Sequence, residues 1–330
     1  MRYIIYGPGA IGGALGGHLF RNGYDVVLIG RGSHIEKIQS DGLELITPEE
    51  TFHLKVPAVS APGCVDLKKG DVVYLTMKSQ DTEGALRDLV ATGAAPEDLR
   101  IVCFQNGIAN ESMAARYFPY VYGAMIFIPG IFLEDGVVHN PALENAGYVE
   151  LGVYPSGEDS LVEAFVADLN KAGYVAFSHP DVMGPKAGKM LGNLGNALVA
   201  ITDGKGDRKQ YLAKMRGEAV RCLEAARLPL EGPDSLQERI NRHRYRDPES
   251  SPVRTLGSSW QSLVRKQGSI EADFLNGEIV RLGRKYQIPT PYNGLMQRIS
   301  GEMARSQELP GIYTEEQLME MVEENKTNTS

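Results

Sequence analysis

Apolar and polar positions follow two different rhythms along this chain. Up to about residue 179, short apolar runs alternate with helical stretches; beyond it, apolar residues recur at three- and four-residue spacing. The first run, Arg2-Tyr3-Ile4-Ile5-Tyr6, is rich in β-formers and breaks into Gly7-Pro8-Gly9-Ala10-Ile11-Gly12. Ile11, Leu15 and Leu19 then repeat every four residues, so the pattern predicts strand, tight turn and helix. Residues 25–30, 71–77 and 101–104 read as further buried strands, and 43–46 and 51–56 as two short ones. Later strands fall at 122–128, 137–139, 148–152 and 174–177, with helices at 35–40 and 159–171. Such alternation predicts an α/β domain with a doubly wound parallel sheet over residues 1–179. The alternation stops at His179-Pro180, which places an all-helical domain over 180–330.

The break after the first strand has the form G-x-G-x-x-G in strand–turn–helix context, the setting of a Rossmann-type dinucleotide site. Gly7 makes the turn, Gly9 lets the backbone approach a pyrophosphate, and Gly12 lets helix and strand pack closely. The helix start, through Ala10 and Ile11, offers N–H groups and partial positive charge to phosphates. Pro8 has a fixed φ and no N–H, so its amide is no phosphate ligand. Arg31 stands at the end of the second strand, where NAD-specific folds carry an acidic residue for the ribose hydroxyls. A guanidinium there suits the 2′-phosphate of NADP instead; the bland alternative is a solvated loop cation. Lys78 and Asn106 close two further strands, and ligands of doubly wound sheets bind outside the carboxyl ends of strands. Each, taken singly, could equally be a loop residue facing water.

In the second half the most informative stretch is 185–198. Read as one helix, it puts Lys189, Asn193 and Asn196 at i, i+4 and i+7 on a single face. Gly188, Gly192 and Gly195 lie in the same stretch, and each interior glycine costs a helix about 0.8–1 kcal/mol relative to alanine. Close backbone approach plus a buried polar row accounts for that choice; a polar face toward solvent or a neighbouring subunit is the alternative. Helices follow at 211–227, 270–286 and 292–304, with a charged loop containing one short helix at 231–257. Glu271 by itself reads as an exposed helix-start carboxylate.

Composition narrows the classes. The chain has 330 residues, 42% hydrophobic and 23% charged, which suits a two-domain globular protein. A net charge of −8 argues against a nucleic-acid partner. Cys64, Cys103 and Cys222 are far apart and match no metal or redox spacing, so reduced cysteines and no metal are expected. No apolar run approaches a membrane span and the chain begins on a strand, so a cytoplasmic location is expected. The polar end of the chain, 325–330, is expected to fray.

Taken together these residues resemble the ketopantoate reductases (2-dehydropantoate 2-reductases) over almost the whole chain. The landmarks are Gly7 to Gly12, Arg31, Lys78, Gln105-Asn106-Gly107, Lys189-x-x-x-Asn193, Ser258-Ser259 and the stretch from Ser269 through Glu271 to Asn276-Gly277. The resemblance implies NADPH-dependent reduction of a 2-keto acid to a 2-hydroxy acid, by default 2-dehydropantoate to (R)-pantoate in pantothenate biosynthesis. It further implies that Lys189 is the proton donor and that Asn106 touches nicotinamide and substrate. Asn193 and Ser259 would bind substrate, and Glu271 would sit where cofactor and substrate meet, reversing its bland reading. The family's second substrate asparagine stands four residues after the first; that position here is Ala197, and Asn196 comes one residue early. A reductase for another 2-keto acid on the same fold, or a non-catalytic NADP(H) sensor, are the competing readings. A helical C-terminal domain often supplies a dimer interface, so a homodimer is the expected assembly if the chain associates.

Overall fold

The structure, a computed structural model, describes residues 1–202, 204–242 and 257–327. The described chain divides into two compact units: Met1–Lys186 with the described residues from Asp234 to Arg242, and Ala187–Pro233 with residues 257–327. The division therefore falls after Lys186 rather than at 179, and the first unit takes back a segment from far along the chain. The rest of the loop expected at 231–257 lies outside the described residues, as do the last residues of the tail.

The strands of the first unit are β1 (Arg2–Tyr6), β2 (Asp25–Ile29), β3 (Leu43–Ile46), β4 (Thr51–Leu54), β5 (Ala58–Val59), β6 (Val72–Leu75), β7 (Arg100–Cys103), β8 (Val121–Phe127), β9 (Val137–His139), β10 (Tyr148–Val153) and β11 (Val175–Ser178). Its helices are α1 (Ala10–Arg21), α2 (Ser33–Asp41), α3 (Thr82–Ala91), α4 (Asn110–Ala114) and α5 (Ser160–Lys171). Among the described residues the main sheet has eight strands in the order β11-β10-β8-β7-β6-β1-β2-β5, parallel except between β8 and β10. The chain builds outward from β1 to β2 on one side and to β6 and β7 on the other. The topological switch point thus lies at the carboxyl end of β1, where Gly7 stands. Along β1, Tyr3 and Ile5 join one core with Leu15, Leu28, Tyr74 and Phe165, while Ile4 joins another with Ile29, Val73, Leu86 and Ile101. Period-two alternation with both faces apolar is what a sheet covered on both sides requires.

Two of the short expected strands do not extend this sheet. β3 and β4 pair with each other, and β3 pairs in parallel with the distant β9, Glu44 opposite Val137 and Ile46 opposite His139. The resulting three-stranded sheet, β4-β3-β9, stands apart from the main one.

The second unit is helical. After α6 (Met183–Asn193), which begins in the first unit, come α7 (Gly195–Ile201), α8 (Lys209–Ala225), α9 (Pro233–Arg242), α10 (Ser258–Val264), α11 (Asn276–Tyr286), α12 (Pro291–Arg305) and α13 (Glu315–Thr327). From Asp234 on, α9 belongs with the first unit. Leu198, Ile201, Tyr211, Met215, Met296, Ile299 and Met303 belong to the core of this unit. Glu218 on α8 accepts from the backbone N–H of Tyr292 and Asn293, each at 3.0 Å, and so closes the start of α12. Among the described residues no helix is long and apolar enough to cross a membrane.

Candidate functional site

The glycine turn has the shape the sequence demanded, residue by residue. Gly7 has φ +98°, and a Cβ there would lie 2.6 Å from the backbone nitrogen of Met77. A Cβ on Gly12 would lie 2.3 Å from Thr76 Oγ1 and 2.4 Å from the Gly7 carbonyl, so α1 rests directly on the ends of β1 and β6. At Gly9 the nearest atom to such a Cβ is Phe132 Cδ1 at 3.8 Å, which leaves the backbone open on that side. Helix α1 starts at Ala10 with no side chain capping it. Its first-turn N–H groups, including those of Ile11 and Gly12, have no intrahelical acceptors and carry the positive end of the dipole.

Pro8 is buried and fills a structural place. Its ring lies over Gly30, where a Cβ would come within 2.9 Å of Pro8 Cδ. Its carbonyl accepts a hydrogen bond from His34 Nε2 at 2.7 Å, while His34 Nδ1 accepts from the Gly136 N–H at 2.9 Å. The two partners fix which imidazole nitrogen carries the proton. His34 also packs on Phe132, ring centroids 4.2 Å apart. Sequence reading missed this strut, because a histidine on a short helix carries no signal of what its ring meets.

Three more expected residues stand at strand ends. Arg31 follows β2, its side chain 84% exposed, and pairs with Asp81 at 2.5 Å. An ion pair this exposed is worth little and yields readily to a better anion. Lys78 follows β6 and Asn106 follows β7, both half-buried. Their loops are tied to each other by Gln105, already part of a landmark motif, and by Thr82 and Asn110, which the sequence reading gave no role. Gln105 Nε2 donates to the Met77 carbonyl and to Thr82 Oγ1, both at 2.8 Å. Thr82 Oγ1 donates to Asn110 Oδ1 at 2.9 Å, and Asn110 Nδ2 reaches Ser79 Oγ and the Asn106 carbonyl, each at 3.1 Å. The first unit thus brings Gly7 to Gly12, Arg31, Lys78 and Asn106 to the carboxyl ends of β1, β2, β6 and β7.

In the second unit the expected single helix over 185–198 is broken: α6 ends at Asn193, Leu194 forms a turn, and α7 begins at Gly195. The Leu194 carbonyl accepts from Asn276 Nδ2 at 3.3 Å, which stabilises the break. Leu194 keeps right-handed helical dihedrals (φ −55°, ψ −29°), so the interruption is a local irregularity between Asn193 and Asn196. Lys189, Asn193 and Asn196 are each half-buried. Their glycines divide in role. A Cβ on Gly188 would meet the Glu231 carbonyl at 2.4 Å and one on Gly195 would meet Leu212 at 3.3 Å, but Gly192 is exposed and has nothing within 4 Å. Close approach explains the first two; Gly192 leaves open space beside Asn193. Asn193 Nδ2 is itself buried and has no hydrogen-bond partner among the described residues. Ser259 is buried (2%) in the first turn of α10, just after Gly257, where a Cβ would lie 4.0 Å from Asn196 Oδ1. Glu271 is only 6% exposed in a 3₁₀ turn ahead of α11, so the reading as an exposed helix-start carboxylate is overturned.

An uncapped helix start with an exposed guanidinium nearby can hold a dinucleotide; a half-buried ammonium one turn from an unsatisfied amide donor can hold and protonate a small oxyanion. The comparisons with known proteins agree in kind. Residues 3–156 match the model described as ketopantoate reductase PanE/ApbA, and residues 183–304 the model of its C-terminal part. The 2-dehydropantoate 2-reductase of Pyrococcus horikoshii is 28% identical, covering 90% of this chain and 95% of its own. Among solved structures, a PanE/ApbA family ketopantoate reductase from Ralstonia eutropha JMP134 is 27% identical with a TM-score of 0.78, over 93% of this chain and 99% of that one. A D-mandelate dehydrogenase solved with NADH and anilino(oxo)acetate shares the fold at 24% identity and a TM-score of 0.80, over 93% of this chain and 99% of its own. This chain belongs to the ketopantoate reductase family and is a dinucleotide-dependent oxidoreductase acting on CH–OH groups.

Proposed function

We propose that the protein reduces a 2-keto acid to a 2-hydroxy acid with NADPH, and that 2-dehydropantoate, giving (R)-pantoate, is its substrate. The observation that carries this reading is Asn193 Nδ2, a buried donor without an acceptor, one helical turn from Lys189 and beside the open space at Gly192. Leaving a buried donor unsatisfied costs about 1–3 kcal/mol, so a ligand acceptor is the natural complement. The activity of the Pyrococcus horikoshii relative supports the choice of substrate.

Gly7, Gly9 and the Ala10–Ile11–Gly12 amides would cradle the pyrophosphate, with Pro8 shaping the turn and Lys78 beside it. Arg31 would leave Asp81 for the 2′-phosphate, since a phosphate is a stronger partner for a guanidinium than an exposed carboxylate. NADPH held there would supply the hydride for the keto carbon. Lys189 stabilises the negative charge that develops on the keto oxygen and donates its proton there, to be reprotonated from solvent. Asn106, Asn193, Asn196 and Ser259 would orient the 2-keto acid, and Glu271 would stand where cofactor and substrate meet. A homodimer, as in the structural relative named as a dimeric ketopantoate reductase from Staphylococcus aureus, is part of the proposal and is read out by sedimentation. NADPH oxidation across a panel of 2-keto acids tests the whole reading. We expect 2-dehydropantoate to be preferred; preference for another acid moves the substrate, and turnover with none leaves a dinucleotide-binding module.

A further inference from the structure

The first unit buries a charge that this chemistry does not use. Lys186, in the first turn of α6, is only 3% exposed, a state in which lysine needs a matched charge. Its Nζ donates to the carbonyl oxygens of Gln105 at 2.7 Å and Ala124 at 2.9 Å, and Glu111 Oε1 lies 2.8 Å away. Glu111, on α4, is fully buried, and neither of its oxygens has a hydrogen bond of good geometry. The carboxylate therefore acts as a countercharge, while the directional bonds of the ammonium go to the two carbonyls. Nearby Cys103 is also buried, and burial with the Glu111 charge pushes its thiol well up, so it stays neutral.

The position of those carbonyls matters more than the pair itself. The Gln105 carbonyl belongs to the peptide plane whose nitrogen is that of Asn106. On its other side, the Asn106 carbonyl accepts from Asn110 Nδ2 at 3.1 Å. Both peptide planes flanking Asn106 are thus held, one by a buried cation. Replacing a buried ion pair by apolar groups is often neutral for stability, so stability alone is a weak reason for keeping one.

We propose that Lys186, with Glu111 as its countercharge, is a positioning residue for the reduction: it fixes the Gln105 carbonyl and thereby aims the Asn106 side chain. The proposal rests on the reading that Asn106 touches nicotinamide and substrate. Lys186→Met alone would strand the Glu111 charge, so the decisive variant combines Lys186→Met with Glu111→Gln. The double variant should bind NADPH, by fluorescence quenching, within about threefold of the parent, because the glycine turn is untouched. Its kcat/KM for the 2-keto acid should fall about 30- to 100-fold, the scale of a misplacement near 1 Å. Adding Asn106→Ala to that background should cost far less than Asn106→Ala costs the parent, since the two act as one unit. Unchanged kcat/KM in the double variant, or full additivity of the two losses, overturns the proposal. Should that variant not fold, Lys186→Arg keeps the charge but displaces the carbonyl, and an unaltered kcat/KM there overturns it equally. If Asn106→Ala is silent in the parent, the role assigned to Asn106 fails and takes the proposal with it.

Discussion

Two polar clusters contrast, the cross-tied side chains at the strand ends of the first unit and the turn at Asn193 in the second, although Gln105 Oε1 and both Glu111 oxygens in the first unit also lack hydrogen bonds among the described residues. In the first, the polar side chains around the strand ends bind one another: Gln105, Thr82, Asn110 and Ser79 tie two loops together, and His34 ties a third to the glycine turn. In the second, Asn193 Nδ2 is buried without a partner and a glycine beside it leaves space. The difference matches the ligands each would take. A long, multiply charged cofactor needs a cradle of backbone amides whose shape holds with or without it. A small reacting group needs donors kept in reserve for it, at a standing cost that its binding removes.

The contrast can be broken most decisively at Lys189. Lys189→Ala should lower kcat about 10²–10⁴-fold, the usual worth of a positioned proton donor, and leave the Kd for NADPH within about twofold. Turnover that survives would mean the open face is not where the chemistry happens. The firmness of the first unit is tested by acid. His18 is buried, and its pKa is pushed down to about 4, chiefly by burial. Unfolded, the imidazole takes up its proton near pH 6.5, whereas the folded state resists until about pH 4. Stability should therefore be whole above pH 6.5 and decline toward pH 4, by about 3 kcal/mol in urea titrations. His18→Gln should flatten that decline; an equally steep one would assign it to other groups.

Smaller effects sharpen the division of labour. Arg31→Ala should weaken NADPH by about 10- to 30-fold, as for a lost charge-assisted bond, and hardly touch NADH. Equal loss of both cofactors would remove the 2′-phosphate from its role. Gly192→Ala should stabilise the protein by about 0.5–1 kcal/mol, because a Cβ there meets nothing and alanine favours the helix. If Gly192 faces the substrate, the same variant should raise KM for the keto acid while leaving kcat with a minimal substrate intact.

Local signals were legible in the chain and non-local ones were not. Gly7, Gly9 and Gly12 announce their turn because strand, turn and helix are contiguous, and β1 reads as doubly covered because Tyr3, Ile4 and Ile5 are all apolar. The pairing of β3 with β9 joins residues some ninety apart (Glu44 with Val137), and alternation within a strand does not say which strand it meets. The break at Leu194 is invisible for a similar reason: it is held by Asn276, far along the chain. Of the polar network, Gln105 stood in a quoted motif, but Thr82, Asn110 and Glu111 sit in ordinary-looking helix starts. Lys186 carried one faint sign, a lysine set between the small and apolar residues 182–185 and 187–188.

The return of α9 to the first unit bears on how this architecture can be cut and recombined. Arg239 donates from Nε and Nη2 to the two oxygens of Glu150, at 2.9 and 3.0 Å, and Glu150 on β10 is only 2% exposed. A fragment ending at Lys186 would leave that carboxylate with Tyr148 but without its cation. The two parts are therefore interleaved in the gene rather than strung in series. A chimera that exchanges the helices of the second unit between relatives has to leave the α9 segment with its sheet, or exchange Glu150 along with it.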